Sequence, residues 1–169
     1  MKYNIFAVGN LKKCPEALIF ENISKRLKNK LTMKEFASKL PPGKARISDE
    51  TNNLIKLITN NGKKILLDRS GKLLTSIEFA HLIQKLELES FNNINFIIGG
   101  PEGIDKTIAK NIDLTISFSN MTWPHLLSRV MLIEQIFRAR GDGDNPKDVR
   151  NVMLSMGVRK YLWRQAWLF

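Results

Sequence analysis

Short apolar runs alternate with longer segments of helical periodicity along most of the chain. The runs at residues 3–8, 65–67 and 94–98 are compact and rich in aliphatic and aromatic side chains, which is typical of strands buried on both faces. The first half of residues 31–40 is predicted as another strand, and a further apolar run ends near residue 118. These segments predict a sheet of short strands.

Between the strands, apolar residues recur at helical spacing. Helices are predicted after Pro15, after Ser48 and after Thr75 or Ser76, and the second of these has Asp49 and Glu50 at its positive end. Their apolar faces contain, in chain order, Leu18, Ile19, Ile23, Leu27, Leu54, Ile55, Leu57, Ile58, Phe79, Leu82, Ile83 and Leu86. Strands that alternate with helices in this way predict an α/β fold, with a parallel sheet and helices on both faces.

Ligands of such sheets bind beyond the carboxyl ends of the strands. The predicted edge carries the pairs Leu67-Asp68, Gly99-Gly100 and Phe118-Ser119. In two of these places an apolar strand ends at a distinctive turn, residues 99–103 (Gly-Gly-Pro-Glu-Gly) and residues 119–125 (Ser-Asn-Met-Thr-Trp-Pro-His). Two such turns side by side favour a cofactor pocket, although the Gly99-Gly100 turn alone is equally consistent with a tight strand exit.

The glycines of the first turn do not form a dinucleotide-binding fingerprint, because a proline interrupts the spacing, and the chain contains no Walker-type Gly-Lys-Ser/Thr. Nucleotide phosphate binding is therefore disfavoured. Paired glycines instead allow the main chain to approach a flat ligand closely. Met121 and Trp123, taken singly, are more often core residues than cofactor contacts.

The 169 residues predict one domain with a sizeable core. Cys14 is the only cysteine, so an internal disulfide and a Cys-rich metal site are excluded, and no metal is expected. No apolar stretch is long enough for a signal peptide or a membrane span. We therefore expect a cytoplasmic protein that does not associate with membranes.

The formal net charge is +11, and eleven of the 27 Lys and Arg residues lie in the first 46 positions, with only three acidic residues among them. A single lysine is usually just part of a solvated surface. The bias of the whole N-terminal third is better explained by a polyanionic partner such as RNA.

Three groups of residues together resemble a known family. They are residues 7–9 (Ala-Val-Gly), residues 96–103 (Phe-Ile-Ile-Gly-Gly-Pro-Glu-Gly), and residues 117–125 (Ser-Phe-Ser-Asn-Met-Thr-Trp-Pro-His) with the helix that follows. The chain from residue 1 to about 139 is similar to the SPOUT-class methyltransferases, and among them to small bacterial enzymes that methylate ribosomal RNA. The resemblance implies an α/β parallel-sheet sandwich that ends in a deep C-terminal trefoil knot, a topology that periodicity alone does not predict.

The resemblance also implies S-adenosylmethionine as cofactor, bound at Leu67, Gly99, Phe118, Ser119, Asn120, Met121, Thr122 and Trp123. It implies a homodimer that methylates N3 of a pseudouridine in 23S large-subunit ribosomal RNA, on the ribosome. His125, Arg129 and Arg138 are the predicted substrate-binding residues, and no catalytic base is assigned. His81 falls within a helical pattern and is predicted to be structural.

The methyltransferase domain is predicted to cover residues 1–140, and residues 141–169 form an atypical tail. The family normally ends in a Tyr-His pair near the substrate pocket, and this sequence lacks it. The end of the tail, residues 158–169, is instead aromatic and basic. An alternative hypothesis is therefore an RNA-binding protein of the same fold with impaired catalysis.

Overall fold

A computed structural model describes residues 1–27, 30–58 and 62–140. These residues form five strands, four α-helices and one 3-10 helix, in the alternating order that the sequence predicts. The elements are β1 (Lys2–Val8), α1 (Pro15–Arg26), β2 (Leu31–Phe36), α2 (Lys44–Leu57), β3 (Lys63–Leu73), α3 (Ser76–Leu88), β4 (Asn93–Ile98), the 3-10 helix (Lys106–Asn111), β5 (Leu114–Ser117) and α4 (His125–Arg140). The predicted tail and its effect on the last helix lie outside the described residues.

The five strands form one parallel sheet in the order β2-β1-β4-β3-β5. The α/β prediction is thus confirmed. Since all strands run in the same direction, their carboxyl ends meet at one edge of the sheet. Strand β4 lies between β1 and β3, so the turn after β4 has neighbours on both sides.

Helices cover both faces of the sheet, as predicted. On one face α1, α3 and α4 pack over a core that includes Tyr3, Ile5 and Phe96. On the other face α2 and the 3-10 helix pack over Phe6 and Ile97. Alternate residues of a strand point to opposite faces, which explains why neighbouring positions of β1 belong to different cores.

Helix α1 is present where it was predicted, but two of its expected core residues face outward. Phe20, Ile23 and Leu27 are buried, whereas Leu18 and Ile19 are 67% and 48% exposed. The buried positions follow a spacing of three and four residues, and that stripe excludes Leu18 and Ile19. The assignment of these two residues to the apolar face was wrong.

Helix α2 begins at Lys44, four residues before the predicted cap at Ser48. Gly43 precedes the helix with a φ of 133°, a conformation that glycine adopts readily. Gly43, in the turn after the two prolines, therefore allows the helix to begin at the next residue, Lys44. Glu50 consequently lies inside the helix rather than at its positive end, and it is buried.

Strand β3 continues past Asp68, where the sequence predicted its end. Leu67 and Lys72 both pair with Ile116 of β5, so residues 68–71 form an irregularity within the strand. Asp68 accepts hydrogen bonds from the backbone N–H and the hydroxyl of Ser70, which closes this local turn. Gly71 is required on the far side, because a Cβ there would lie 2.6 Å from the Ile116 carbonyl carbon.

Helix α3 begins as predicted. The Thr75 hydroxyl accepts a hydrogen bond from the Glu78 backbone N–H, and the Glu78 carboxylate accepts one from the Thr75 N–H, which is a complete capping box.

Among the described residues, no helix is both long enough and apolar enough to cross a membrane.

Candidate functional site

A cleft of about 800 Å³ opens at the carboxyl edge of the sheet. Its walls come from the ends of β3, β4 and β5, the two turns after β4 and β5, and the start of α4. The residues that line it are Leu67, Asp68, Arg69, Ile98, Gly99, Gly100, Pro101, Glu102, Gly103, Ile104, Ile116, Ser117, Phe118, Ser119, Met121, Thr122, Trp123, Pro124, His125 and Ser128. The three strand ends that the sequence placed at one edge therefore share a single cavity.

Most of the predicted cofactor residues line this cleft. They are Leu67, Gly99, Phe118, Ser119, Met121, Thr122 and Trp123, whereas Asn120 lies within the same loop but is not among the lining residues. Met121 is 70% exposed and Trp123 is 41% exposed. Neither side chain is part of the core, which removes the alternative interpretation of Met121 and Trp123 as core residues.

The Ser119 side chain organises the loop after β5. Its hydroxyl oxygen accepts hydrogen bonds from the Met121 backbone N–H at 2.9 Å and from the Trp123 indole Nε1–H at 3.1 Å. The Ser117 hydroxyl in turn donates to the Ser119 carbonyl at 2.8 Å. These contacts hold the indole beside the strand end and fix the course of the loop along the cleft.

The turn after β4 forms the opposite wall. The Gly103 N–H donates to the Gly100 carbonyl at 3.0 Å, and Gly103 has a φ of 93°. A Cβ on Gly99 would lie 3.3 Å from the Gly103 carbonyl oxygen, so a side chain at this position would require the turn to shift by a few tenths of an ångström. Glu102 accepts a hydrogen bond from the Gly43 N–H at 3.2 Å, which ties the turn to the start of α2.

His125 is the first residue of α4 and lines the cleft. Its Nε2 lies 3.0 Å from the position that a Cβ on Gly9 would occupy, so the glycine after β1 makes room for the ring. Burial lowers the pKa of His125 below its usual 6.5, and the positive charge of Arg129 lowers it further, while Glu50 opposes the shift. Near neutral pH the imidazole is therefore uncharged and able to accept a proton.

Arg129 lies beneath the cleft and is fully buried. Its guanidinium donates to the Glu35 carboxylate and to the Val8 carbonyl. Desolvation lowers the pKa of Arg129, and Glu35 counteracts that effect. This arrangement joins α4 to β1 and β2, and it does not support the predicted contact of Arg129 with RNA phosphate.

Arg138 lies on the last described turn of α4 and does not line the cleft. Its side chain is 47% exposed and its Nε donates to Glu134 at 2.8 Å, one helical turn earlier. A contact with RNA phosphate at this surface position stays a prediction.

The sequence reasoning did not identify Glu50 as part of this region. Glu50 is 2% exposed, and its Oε2 lies 2.9 Å from the position of a Cβ on Gly100, at the wall of the cleft. One signal was present in the sequence: Glu50 precedes the buried Leu54 by four residues, which places both on the same face of a helix.

The cleft suits a ligand with a flat ring system and a polar tail. Its volume falls within the usual range for cofactor sites. Leu67, Ile98 and Phe118 provide apolar walls, while Gly99 and the loop after β5 lie where the main chain leaves the sheet ladder. S-adenosylmethionine has this combination of adenine, ribose and an amino-acid tail.

Within the described ranges, no group of three or more His, Cys, Asp or Glu residues could hold a metal ion.

Known proteins resemble this chain over most of its length. Residues 1–141 match the family described as "Predicted SPOUT methyltransferase". A similar protein named "Ribosomal RNA large subunit methyltransferase H" occurs in Clostridium botulinum and is 36% identical over 82% of this chain and 93% of its own length. A protein of the same name from Clostridium kluyveri is 37% identical over 82% of this chain and 92% of its own length. The protein of that name from Paramagnetospirillum magneticum is 34% identical over 82% of this chain and 92% of its own length. The chain therefore belongs to the SPOUT methyltransferase family and is a methyltransferase.

Proposed function

We propose that this protein transfers a methyl group from S-adenosylmethionine to N3 of a pseudouridine in 23S large-subunit ribosomal RNA, on the assembled ribosome. The observation that carries the proposal is the convergence of Leu67, Gly99 and the loop after β5 on one cleft that also contains His125. The ribosomal RNA substrate is supported by the names of the relatives and by the net charge of +11. The choice of nucleotide rests on the family resemblance.

The chain's own residues act mainly by positioning. Leu67 and Phe118 flank the space for the adenine, and Ser119 holds the loop that carries Met121 and Trp123. When bound, S-adenosylmethionine supplies a methyl group that is already activated by its sulfonium. Orientation of the accepting base against that group then provides much of the rate enhancement, because it replaces a bimolecular encounter with a fixed geometry.

The accepting imide nitrogen must lose a proton during methylation. His125 is the group in the cleft whose neutral form accepts a proton near neutral pH, since burial lowers its pKa. We assign it the contact with the substrate base. Glu50 and Arg129 are not among the residues that line the cleft.

We also propose the C-terminal trefoil knot, the homodimer and the cytoplasmic location that the family resemblance implies. Helix α4 follows directly on the loop that borders the cleft and packs against both α1 and α3, while the knot itself rests on the family resemblance. The outward-facing Leu18 and Ile19 offer apolar surface on α1 for a second copy. Analytical ultracentrifugation of the full chain tests the dimer.

The decisive experiment combines the purified full chain with labelled S-adenosylmethionine and 70S ribosomes from cells that lack this modification. Mass spectrometry of nuclease fragments then locates the added methyl group. The proposal predicts a single methylated pseudouridine in 23S RNA and a rise in the melting temperature with cofactor. Cofactor binding and ribosome binding without methyl transfer would instead favour the impaired RNA-binding protein. The absence of any cofactor-induced stabilisation would contradict both the cofactor assignment and the enzyme.

A further inference from the structure

The cleft contains one strongly basic side chain, that of Arg69. Among the described residues that line the cleft, Arg69 is the only Lys or Arg, and the acidic side chains there are Asp68 and Glu102. Arg69 is exposed, and none of the ion pairs between described residues includes it. Its guanidinium is therefore free to bind an anionic group that enters the cleft.

The position of Arg69 follows from the irregularity in β3. Leu67 pairs with Ile98 of β4 and with Ile116 of β5, so Arg69 follows a strand end that lies between two other walls of the cleft. Lys72 pairs with Ile116 again, and the residues between Leu67 and Lys72 leave the ladder. Irregularities of this kind are frequent next to active sites, where they redirect a side chain.

Short-range contacts fix the shape of this irregularity on both sides of Arg69. Asp68 accepts hydrogen bonds from the Ser70 backbone N–H at 2.8 Å and from the Ser70 hydroxyl at 2.6 Å. Gly71 lies so close to β5 that a Cβ there would be 2.6 Å from the Ile116 carbonyl carbon. Because the main chain at Arg69 is already ordered, a ligand that binds its guanidinium pays less for ordering the backbone.

Two kinds of anion reach the cleft under the proposed function, the phosphates of RNA and the carboxylate of S-adenosylmethionine. The cofactor carries a sulfonium and an ammonium but a single carboxylate, so its net charge is positive and the carboxylates of Asp68 and Glu102 complement it. RNA instead carries a negative charge at every phosphate and requires a cation. The planar guanidinium of an arginine binds phosphate through two parallel hydrogen bonds, and the exposed Arg69 is accessible to a macromolecule.

We propose that Arg69 binds a phosphate of the RNA substrate beside the nucleotide that is methylated. The inference rests on the proposed function of the cleft. Arg69 then makes the kind of contact that the sequence predicted for Arg129, which is fully buried. A phosphate contact does not read the sequence, but it fixes the register of the strand, so that the accepting base lies in the same cleft as His125.

Binding to 70S ribosomes that lack the modification, measured without cofactor at several salt concentrations, tests this contact without any requirement for activity. We expect Arg69→Gln to weaken binding about tenfold, the usual scale for a hydrogen bond to a charged group. The slope of log affinity against log salt concentration should fall by about 0.7–1, the value for one phosphate contact. Arg69→Lys should keep the slope and lose part of the affinity, because it retains the charge without the planar fork.

Lys2→Gln is the matched control for the loss of one positive charge. Lys2 is exposed like Arg69, but it begins β1 and therefore lies at the opposite edge of the parallel sheet. We expect its affinity for ribosomes and its salt slope to equal those of the wild type. Equal losses in Lys2→Gln and Arg69→Gln would show a diffuse attraction without a specific contact, and would overturn the proposal.

Calorimetry with S-adenosylmethionine distinguishes the two sources of the anion. Arg69→Gln should bind the cofactor as the wild type does, and its KM for ribosomes should rise about tenfold with little change in kcat. A loss of cofactor affinity with unchanged ribosome binding would assign Arg69 to the cofactor carboxylate and overturn the proposal. Methyl transfer by the wild type, together with equal salt slopes in the wild type and Arg69→Gln, would contradict this inference alone. Different slopes without any methyl transfer would support the phosphate contact and contradict the proposed function.

Discussion

Arg129 and Glu35 form an ion pair that joins α4 to the end of β2 beneath the cleft. The arginine is fully buried, and its second terminal nitrogen donates to the Val8 carbonyl at the end of β1. Glu35 also accepts a hydrogen bond from the Leu11 N–H at 2.8 Å, so one carboxylate ties together the helix and the loop after β1. The pair fixes the start of α4, which carries His125, against the sheet.

Removal of the carboxylate from this pair should destabilise the protein strongly. Glu35→Ala leaves a buried guanidinium without its counter-charge, and breaking such a pair typically costs about 3–5 kcal/mol. We expect a loss of this size in the free energy of unfolding, measured by urea denaturation. Glu134→Ala, which breaks the exposed pair with Arg138, should cost about 1 kcal/mol or less. Equal losses in the two variants would show that the buried pair has no special role.

A methyl group at Gly9 should disturb the site, whereas the same change at Gly43 should not. Both glycines have positive φ, 101° and 133°, so alanine at either position costs about 1–3 kcal/mol in backbone strain. Only the Gly9 side chain would also press on His125 and Arg129, since nothing lies within 4 Å of a Cβ on Gly43. We expect Gly9→Ala to lower both stability and methylation. Gly43→Ala should lower stability alone, and equal activities would contradict this distinction.

The sequence predicted the sheet and the position of the cleft because these depend on local patterns. Buried strands are recognisable as apolar runs, and the order of elements predicts a parallel sheet with its strand ends together. The capping box at Thr75 is likewise encoded within four residues. The resemblance to the family added the residues of the loop after β5, of which all but Asn120 line the cleft.

What the sequence did not predict depends on partners that are distant along the chain. The burial of Arg129 requires Glu35, 94 residues away, and Val8, 121 residues away. Strand β3 extends past Asp68 because β5 pairs with Lys72 and Leu73, and a turn signal at residues 68–71 gives no hint of that pairing. Neither feature leaves a periodic pattern, and Arg129, predicted to contact RNA, is instead buried in the core.

Loss of the titrating group at His125 should change how stability depends on pH. The folded protein binds a proton at His125 less readily than the unfolded chain, because burial lowers the pKa. As the pH falls below about 6.5, the unfolded state therefore takes up more protons, and the wild type loses stability until the pH passes below the folded pKa. His125→Asn lacks this contribution. We expect the free energy of unfolding of His125→Asn, measured by urea denaturation at several pH values, to rise relative to that of the wild type as the pH falls below about 6.5. The difference between the two proteins should be constant above a pH of about 7.5.

A single hydroxyl organises the loop that borders the cleft, and its removal should weaken cofactor binding. Ser119→Ala deletes the acceptor for the Met121 N–H and the Trp123 indole N–H, so the indole is no longer held beside the end of β5. Met121 is 70% exposed and Trp123 is 41% exposed, so both lie at the surface, and we therefore expect little change in the unfolding midpoint. The affinity for S-adenosylmethionine should fall about tenfold, because about 1.4 kcal/mol of binding energy is then spent on ordering the loop.

Isothermal titration calorimetry measures this change directly. Ser24→Ala on α1, far from the cleft along the chain and in a different element, is the matched control and should bind the cofactor as the wild type does. A wild-type affinity in Ser119→Ala would mean that the loop is ordered by the ligand itself rather than in advance by Ser119. In that case, binding of the cofactor to the wild type would itself carry the large unfavourable entropy of ordering the loop, and calorimetry of the wild type would show it. The cleft would then be formed only on binding.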